Sequence, residues 1–315
     1  MKKLLAICLV LVTVVALCAC GGNNAMTMGT GGTAGTYYGY GGILGTQIKN
    51  VAGITVNVVS TDGSKANILG IDTGDYQLAT VQSDVMAYAA AGTRSFEVEG
   101  KMDTFRVIGG LYAEAVQLLT MDPNIKTVAD LKGKKVSIGA AGSGVYFNAM
   151  DVLAAAGLTE ADIDPQYQSF ADSADALKDG KIDAAFIVAG APTPAAQELC
   201  TSASAYLVPI DGEVAAKLME SSPYYTSYTI PANTYNGQTE DITTVTVKAT
   251  LIVSTSASED AVYKITKAIF DNIDDIKAAH AKGAELSLEN ATEGMTAPFH
   301  PGAAKYFAEK GITVE

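Results

Sequence analysis

The spacing of apolar residues changes along the chain and predicts helices and strands in alternation. Leu44, Ile48 and Val51 recur at helical spacing, whereas residues 54–58 alternate between apolar and polar side chains as a strand does. The first half of the chain is thus predicted to contain a helix over 44–51, a strand over 54–58, a helix over 64–73, a strand over 78–81 and a helix over 84–92. Such alternation is typical of an α/β protein with a parallel sheet covered by helices.

A second set of alternating elements follows from residue 135. Its members are strands over 135–139, 167–170, 182–188 and 250–253, and helices over 146–156, 172–179, 259–281 and 301–310. The helix over 259–281 is predicted to be long, amphipathic and continuous. Residues 224–246 are rich in Thr, Tyr and Asn and show no clear period, so they are expected to meander.

Two short segments resemble each other, GDYQLATVQ at 74–82 and GKIDAAFIV at 180–188. Both follow a predicted helix and a stop glycine, and both become a buried strand. Chance similarity between buried strands is the alternative interpretation. If the repeat is real, two similar α/β lobes face each other across a cleft. Ligands of such sheets bind at the carboxyl ends of the strands, beside helix N-termini.

Size and charge limit the classes of function. The chain has 315 residues, enough for two domains, and 48% of them are hydrophobic, as in a globular protein. The formal net charge is -13, which argues against nucleic acid as a partner because phosphate backbones bind basic surfaces. A small anion held by uncharged donors remains compatible with this charge.

The N-terminus is predicted to be a lipoprotein signal peptide of residues 1–19. Two lysines precede an apolar run over 4–17, which is too short to span a bilayer. The run ends in Leu17-Cys18-Ala19-Cys20-Gly21, which resembles a bacterial lipobox with Cys20 as the lipidated residue; an ordinary signal peptide is the alternative. Residues 20–25 are assigned to a tether, and the polar stretch that suggests this tether covers residues 21–28. The mature protein is therefore expected outside the cytoplasm, anchored through lipid.

The titratable residues offer no convincing catalytic site, so no enzyme, cofactor or metal is predicted. His280 is expected to be solvated, and His300 to have a structural role at a helix start. The sequence has no zinc-ligand spacing and no G-x-S-x-G elbow. The glycine-rich residues 29–42 lack the Lys-Ser or Lys-Thr of a phosphate loop. Cys200, alone after processing, is expected to be a small core residue.

Backbone N–H groups and hydroxyls are the predicted donors for a ligand carboxylate. The sequence has two arginines, Arg94 and Arg106, and neither lies in a glycine loop or at a predicted helix start. Three strand-to-helix turns can supply donors instead, at residues 33–38, 82–83 and 142–144. Each turn alone is a weak signal, because serine and glycine at helix starts are usually simple caps.

An ordered set of motifs resembles the TAXI family, the extracytoplasmic solute receptors associated with TRAP transporters. The motifs are Gly31-Gly32-Thr33 with Tyr37-Tyr38, Val81-Gln82-Ser83-Asp84, Gly142-Ser143-Gly144, Asp179-Gly180-Lys181-Ile182-Asp183-Ala184-Ala185-Phe186, Gly190-Ala191-Pro192-Thr193-Pro194 and His300-Pro301-Gly302-Ala303. The resemblance covers nearly the whole mature chain. It implies a type II periplasmic-binding-protein fold, whose two α/β lobes close on a ligand around a hinge.

The same resemblance implies a function. A monomeric receptor would capture a small carboxylate, such as glutamate or 2-oxoglutarate, and deliver it to a TRAP membrane permease driven by an ion gradient. A sensor on the same fold that signals to a membrane partner is the alternative, since one fold hosts many functions. The lobes are predicted at 26–117 with 255–315, and at 118–254.

The resemblance also assigns the ligand site residue by residue. The residues carried over are Gly32, Thr33, Thr36, Tyr37, Tyr38, Gln82, Ser83, Ser143, Gly144, Ala191, Pro192 and Thr193. The sequence departs from the family pattern at two places. Gly39 stands where proline often follows the paired tyrosines, and Val145-Tyr146 stands where Thr-Glu is common. Tyr146 and Asn148 are therefore expected to reach into the cleft and to select a different ligand.

Overall fold

Alternating strands and helices form the first part of the chain, in a computed structural model that describes residues 25–315. Cys20 and the predicted signal peptide lie outside the described residues. The elements are β1 (Ala25–Gly29), α1 (Thr36–Ala52), β2 (Thr55–Val59), α2 (Ser64–Asp72), β3 (Leu78–Gln82), α3 (Ser83–Ala91) and a 3-10 turn (Arg94–Phe96). All five predicted elements of this part are present. α1 begins earlier than predicted because its glycines hide the helical period.

Strand β1 contradicts the predicted tether over residues 25–28, the part of it that lies within the described residues. Met28 is fully buried, and β1 pairs in parallel with β2 and β3. The five residues of β1 are too few for their alternation of apolar and polar side chains to indicate a strand. The glycine-rich residues after β1 form a turn and then the start of α1. Gly41 lets this helix approach the sheet, because a Cβ there would lie 2.8 Å from Cγ2 of Thr30.

The long strand β4 (Phe105–Thr120) leads into the second part of the chain and was not predicted. Nearly all its residues are buried, so its two faces do not alternate between apolar and polar side chains. The strand therefore lacks the two-residue period that predicts a half-buried strand. The elements that follow are a 3-10 turn (Val128–Leu131), β5 (Lys135–Ser137), α4 (Val145–Ala155), a 3-10 turn (Glu160–Asp162), β6 (Asp164–Gln166), α5 (Phe170–Lys178), β7 (Ala184–Ala189), α6 (Pro194–Ser202), β8 (Tyr206–Val208) and α7 (Gly212–Ser221).

A hairpin and a group of helices complete the chain. They are β9 (Thr226–Ile230), β10 (Ile242–Ser254), α8 (Glu259–Phe270), α9 (Ile273–Ala279), a 3-10 turn (Ala281–Glu285), α10 (Leu288–Thr292) and α11 (Pro301–Glu309). The hairpin occupies the segment expected to meander, with Ile242 opposite Ile230. The continuous helix over 259–281 is a wrong prediction. Asn272 has a non-helical backbone between α8 and α9, and its amide caps the Ala268 carbonyl.

The strand predicted over 167–170 is also wrong. The strand β6 ends before this segment, and α5 already begins at Phe170. Ser169 is the N-cap of α5, and its hydroxyl oxygen accepts a hydrogen bond from the backbone N–H of Asp172. This local capping interaction decides the conformation over the aromatic residues that suggested a strand.

The strands of residues 25–315 form one sheet, with the main order β2-β1-β3-β10-β4-β7-β5-β6. Read from its two ends, the sheet shows the same arrangement twice. β3 lies between the parallel β1 and the antiparallel β10, and β7 lies between the parallel β5 and the antiparallel β4. β3 and β7 also contain the two similar sequence segments. The topology therefore supports a structural repeat over chance similarity.

The apolar core is divided between the two ends of this sheet. One core combines residues between 28 and 112 with residues between 249 and 307. Two further clusters contain residues between 115 and 247. β4 and β10 are adjacent and antiparallel, and they run from one core to the other. Within residues 25–315, no helix has the length and apolar character needed to cross a membrane.

Candidate ligand-binding cleft

A cleft lies between the two halves of the structure, where helices from both halves begin. Its walls enclose about 620 Å³, part of which is open solvent at the mouth. The lining residues are Gly31, Gly32, Gly35, Thr36, Tyr37, Thr61, Asp62, Gly63, Ser64, Gln82, Glu114, Ala140, Ser143, Gly144, Val145, Gln168, Ser169, Phe170, Val188 and Ala189. They come from the turns that follow β1, β2, β5 and β6 and from β3, β4 and β7. This is the carboxyl-end position at which α/β sheets bind ligands.

Three helices start at the cleft, and two of them, α1 and α4, keep first-turn N–H groups without a backbone partner among the described residues. At α2 the N–H groups of Lys65 and Ala66 are already bonded to the Gly142 carbonyl. In the described chain, α1, α2 and α4 have glycine at the N-cap and no side-chain cap hydrogen bond. The first N–H groups of a helix have no partner within it, and the helix dipole is positive at this end. α1 and α2 belong to one half and α4 to the other. A bound anion would therefore receive donors from both halves.

Six of the predicted site residues line the cleft: Gly32, Thr36, Tyr37, Gln82, Ser143 and Gly144. The Thr36 hydroxyl donates to the Gly190 carbonyl across the cleft at 2.8 Å. The Ser143 hydroxyl donates to the carbonyl of Ala140 at 2.7 Å, so it shapes its own turn.

The packing around residue 144 explains why a glycine stands at the start of α4. A Cβ at this position would lie 1.5 Å from Oε1 of Gln82, which comes from the other half. The two halves can therefore approach each other this closely because residue 144 has no side chain.

Eight of the predicted residues lie outside the lining, and four of them are exposed or face other parts of the structure. Thr33, just before α1, is exposed, and Tyr38 in its first turn is half-buried. Ser83 faces a different groove, where its hydroxyl oxygen accepts the backbone N–H of Lys248. Tyr146 does not reach the cleft either, because its hydroxyl donates to Glu160 within its own half.

Asn148 lies behind the cleft and joins the two halves. Its side-chain amide donates to the carboxylate of Asp84 and to the hydroxyl of Tyr225, both at 2.9 Å. Its carbonyl oxygen accepts from the side-chain amide of Gln82, also at 2.9 Å. Asn148 is fully buried and therefore orients Gln82 instead of touching a ligand.

The loop formed by Ala191, Pro192 and Thr193 also supports the cleft from behind. The Ala191–Pro192 peptide bond is cis. The Thr193 hydroxyl donates to the Gly190 carbonyl and accepts from the Gln117 amide, at 2.9 Å each. The backbone N–H of Thr193 donates to the Tyr235 hydroxyl. These bonds hold the Gly190 carbonyl where Thr36 meets it.

Sequence reasoning missed several parts of the cleft, including residues 168–170 after β6 and 188–189 in β7; two of the missed parts carry polar groups that bear on the ligand. The turn over 61–64 follows β2 and opens α2, so it is a strand-to-helix turn of the same kind as the three that were recognised. Glu114 lies in β4, whose existence was not predicted. A single acidic residue within the buried run LYAEAVQLL was the available signal, because buried carboxylates are rare unless they have a role.

Glu114 is the most perturbed carboxyl group of the cleft. It is 1% exposed, and burial raises its pKa to about 8, with a further contribution from Asp84 and an opposing one from Lys282. Burial likewise raises the pKa of Asp84 to about 6 and that of Tyr37 well above its usual value. Four buried polar atoms of the lining have no hydrogen-bond partner among the described residues: the Tyr37 hydroxyl and Oε1 of Gln82, Glu114 and Gln168.

The two halves are in contact around the cleft. The Gly142 carbonyl accepts the backbone N–H groups of Lys65 and Ala66 at 3.1 and 3.2 Å. At the far edge, Arg94 forms a two-pronged ion pair with Asp151, at 2.6 and 3.1 Å. These contacts join residues from opposite halves, so the structure is that of the closed arrangement.

The two histidines and the cysteine lie away from the lining. His280 is half-buried, and its ring packs edge-on against Tyr40 at 5.4 Å, so the prediction that it is solvated is wrong. His300 caps α11 by accepting the N–H of Gly302, which confirms its structural role. Cys200 is buried, as predicted, and burial raises the pKa of its thiol to about 11. Among residues 25–315, no group of three or more His, Cys, Asp and Glu side chains could hold a metal ion.

The curled α/β sheet and the cleft between its halves define the type II periplasmic-binding-protein fold, which confirms the predicted fold class. The alkanesulfonate-binding protein SsuA from Xanthomonas axonopodis pv. citri is similar over 91% of this chain and 91% of its own, with 17% identity and a TM-score of 0.50. A protein described as an L-cystine ABC transporter from Listeria monocytogenes covers 84% and 98%, with 17% identity and a TM-score of 0.51. The substrate binding protein of an amino acid ABC transporter covers 83% and 100%, with 12% identity and a TM-score of 0.51.

At these identities the solved structures show a shared fold. The family is shown by the sequence itself: the chain belongs to the NMT1-like family, whose model matches residues 28–311.

Proposed function

We propose that this protein is an extracytoplasmic solute receptor of the TAXI type, which captures a small carboxylate between its lobes and delivers it to a TRAP permease. The N-termini of α1 and α4, one from each half, open on the cleft without a side-chain cap, and this is the observation that carries the proposal. The N–H groups and dipoles of helix starts stabilise a carboxylate without a basic side chain. The NMT1-like family and the fold of transporter receptors support a binding protein over an enzyme.

The finer parts of the proposal rest on the sequence motifs. They are the TRAP permease as partner, the lipid anchor at Cys20 and the lobe boundaries at residues 117 and 255. The separate apolar cores support lobes that move as two bodies, and β4 and β10 run from one core to the other. Binding would then shift the population from open to closed, in proportion to the contacts that closure adds.

The test is a ligand panel against the purified mature protein. Glutamate, 2-oxoglutarate and other organic acids and amino acids are added one at a time, and the melting temperature Tm is measured. A compound that binds the folded state alone, at 100 times its Kd, stabilises it by about 2.7 kcal/mol. Mass spectrometry of gently purified protein identifies any co-purified compound. A panel without any Tm shift, together with protein that carries no small molecule, would contradict the proposal.

A further inference from the structure

The charges of the cleft are unusual for a site that binds an acid. Two of its lining residues are carboxylates, the buried Glu114 and the exposed Asp62. Its described lining contains no lysine, arginine or histidine. The cation that acts on the Glu114 carboxyl group is Lys282, and its ammonium group is already paired with Glu285. A ligand with two negative charges would thus place one of them against an acidic wall without a counter-charge, which is costly in a buried site.

The orientation of Gln82 is fixed by the groups behind it. A carboxylate such as that of Asp84 can accept hydrogen bonds, so Asn148 must present its NH₂ group there. The carbonyl oxygen of Asn148 therefore faces Gln82 and takes the NH₂ group of that side chain. The remaining atom of the Gln82 amide is Oε1, which has no partner in the described chain. This chain of amides presents a hydrogen-bond acceptor to the cleft.

Glu114 adds a second acceptor at the same place. Its carboxyl group lies beside the side chains of Gln82 and Tyr37, and its Oε1 is buried without a partner in the described residues. Buried acceptors are nearly always paired with a donor in folded proteins. The Tyr37 hydroxyl can donate to one oxygen of the Glu114 carboxyl group. The other oxygen and Oε1 of Gln82 then remain as acceptors, and they match a ligand group that carries several N–H donors and a positive charge.

We propose that the ligand is a zwitterion, an amino acid whose ammonium group binds Glu114 and Oε1 of Gln82 while its single carboxylate binds the helix N-termini. This inference rests on the proposed receptor function and narrows its ligand class. Binding transfers the Glu114 proton to solvent, and the resulting carboxylate pairs with the ammonium group. Val145, Phe170, Val188 and Ala189 form an apolar part of the wall. They suit an uncharged side chain and leave a second carboxylate without donors.

The test compares matched pairs of compounds that differ in the amine alone. Isothermal titration is performed with L-alanine and pyruvate, with L-leucine and 4-methyl-2-oxopentanoate, and with L-glutamate and 2-oxoglutarate. We expect an amino acid with an uncharged side chain to bind at least tenfold more tightly than its 2-oxo partner, and more tightly than L-glutamate. A tenfold ratio corresponds to about 1.4 kcal/mol, within the range of one charge-assisted hydrogen bond.

Two variants locate the effect. Glu114→Gln keeps the size of the side chain and removes its charge, so the preference for the amine should fall at least tenfold. Glu240→Gln removes an exposed carboxylate in the loop between β9 and β10 and should leave all affinities unchanged. Circular dichroism and Tm establish that both variants are folded. If Glu114→Gln does not fold, the ratio of affinities in the unmodified protein still decides the matter.

The outcomes separate the two proposals. Tighter binding of 2-oxoglutarate or pyruvate than of any amino acid would overturn the zwitterion and leave the carboxylate receptor standing. An unchanged amine preference in folded Glu114→Gln would also overturn it. Absence of binding by all six compounds would contradict both proposals.

Discussion

Gly144→Ala tests whether the closed arrangement depends on the contact between α4 and β3. The added Cβ would lie 1.5 Å from Oε1 of Gln82, 2.7 Å from its Cδ and 2.8 Å from Cγ2 of Val85. An ordinary contact needs about 3.4 Å or more, so the Gln82 amide must move by about 2 Å. The buried hydrogen bond from Gln82 to Asn148 then breaks. Leaving such buried groups unpaired costs about 1–3 kcal/mol.

This cost applies to the closed state alone, because Gly144 and Gln82 belong to opposite halves. We therefore expect a loss of affinity of about 5–150-fold with an almost unchanged Tm of the unliganded protein. Isothermal titration with the amino acid that gives the largest Tm shift measures the affinity. Gly42→Ala is the control, since a Cβ there meets nothing within 4 Å. Gly144→Ala binding within twofold of the unmodified protein would refute the reasoning.

Three further predictions follow from other contacts. Arg94→Ala should weaken ligand binding by about two- to fivefold, because its half-exposed ion pair with Asp151 joins the two halves and such pairs contribute about 0.2–1 kcal/mol; Asp151→Asn should give a similar loss by titration. Burial raises the pKa of Glu114 from 4.5 to about 8. The protonated carboxyl group therefore stabilises the unliganded fold fully below pH 4.5, and this contribution is lost as the pH rises through about 8. In Glu114→Gln the Tm should depend less on pH between these two values. Tyr235→Phe removes the partner of the buried Thr193 N–H and should lower the free energy of unfolding by about 1–3 kcal/mol, measured by denaturant titration at unchanged m-value.

The elements that could be predicted from the sequence are those whose ends are marked by residues within the element itself. The helices α2, α3, α4, α5 and α11 begin or end at capping residues and glycines, and strands such as β3 and β7 are short buried runs between such signals. β4 gave no signal of this kind. It is buried on both faces by two different halves, so Glu114 and Gln117 are explained by partners distant in sequence. Periodicity within a window cannot show such partners.

The sequence was sufficient to predict which turns line the site, but it was not sufficient to predict which side chains of those turns face the ligand. The turn at 142–144 and the start of α1 were recognised because glycine there serves a backbone approach. Ser83 and Asn148 lie in the first turns of α3 and α4, and the sequence does not show which side of a helix start faces the cleft. The structure places Ser83 on the opposite groove and Asn148 behind Gln82.

Glu114 and Val247 stand opposite each other on the two strands that cross between the halves. The chain therefore leaves the first half and returns to it at neighbouring points. Opposite residues of antiparallel strands have Cα atoms about 4.5–5.5 Å apart, a gap that a two-residue turn can close. The stretch between them is in this sense a module with adjoining ends. Exchanging it with that of a relative needs two junctions that lie side by side, which makes hybrid receptors a practical route to a new specificity.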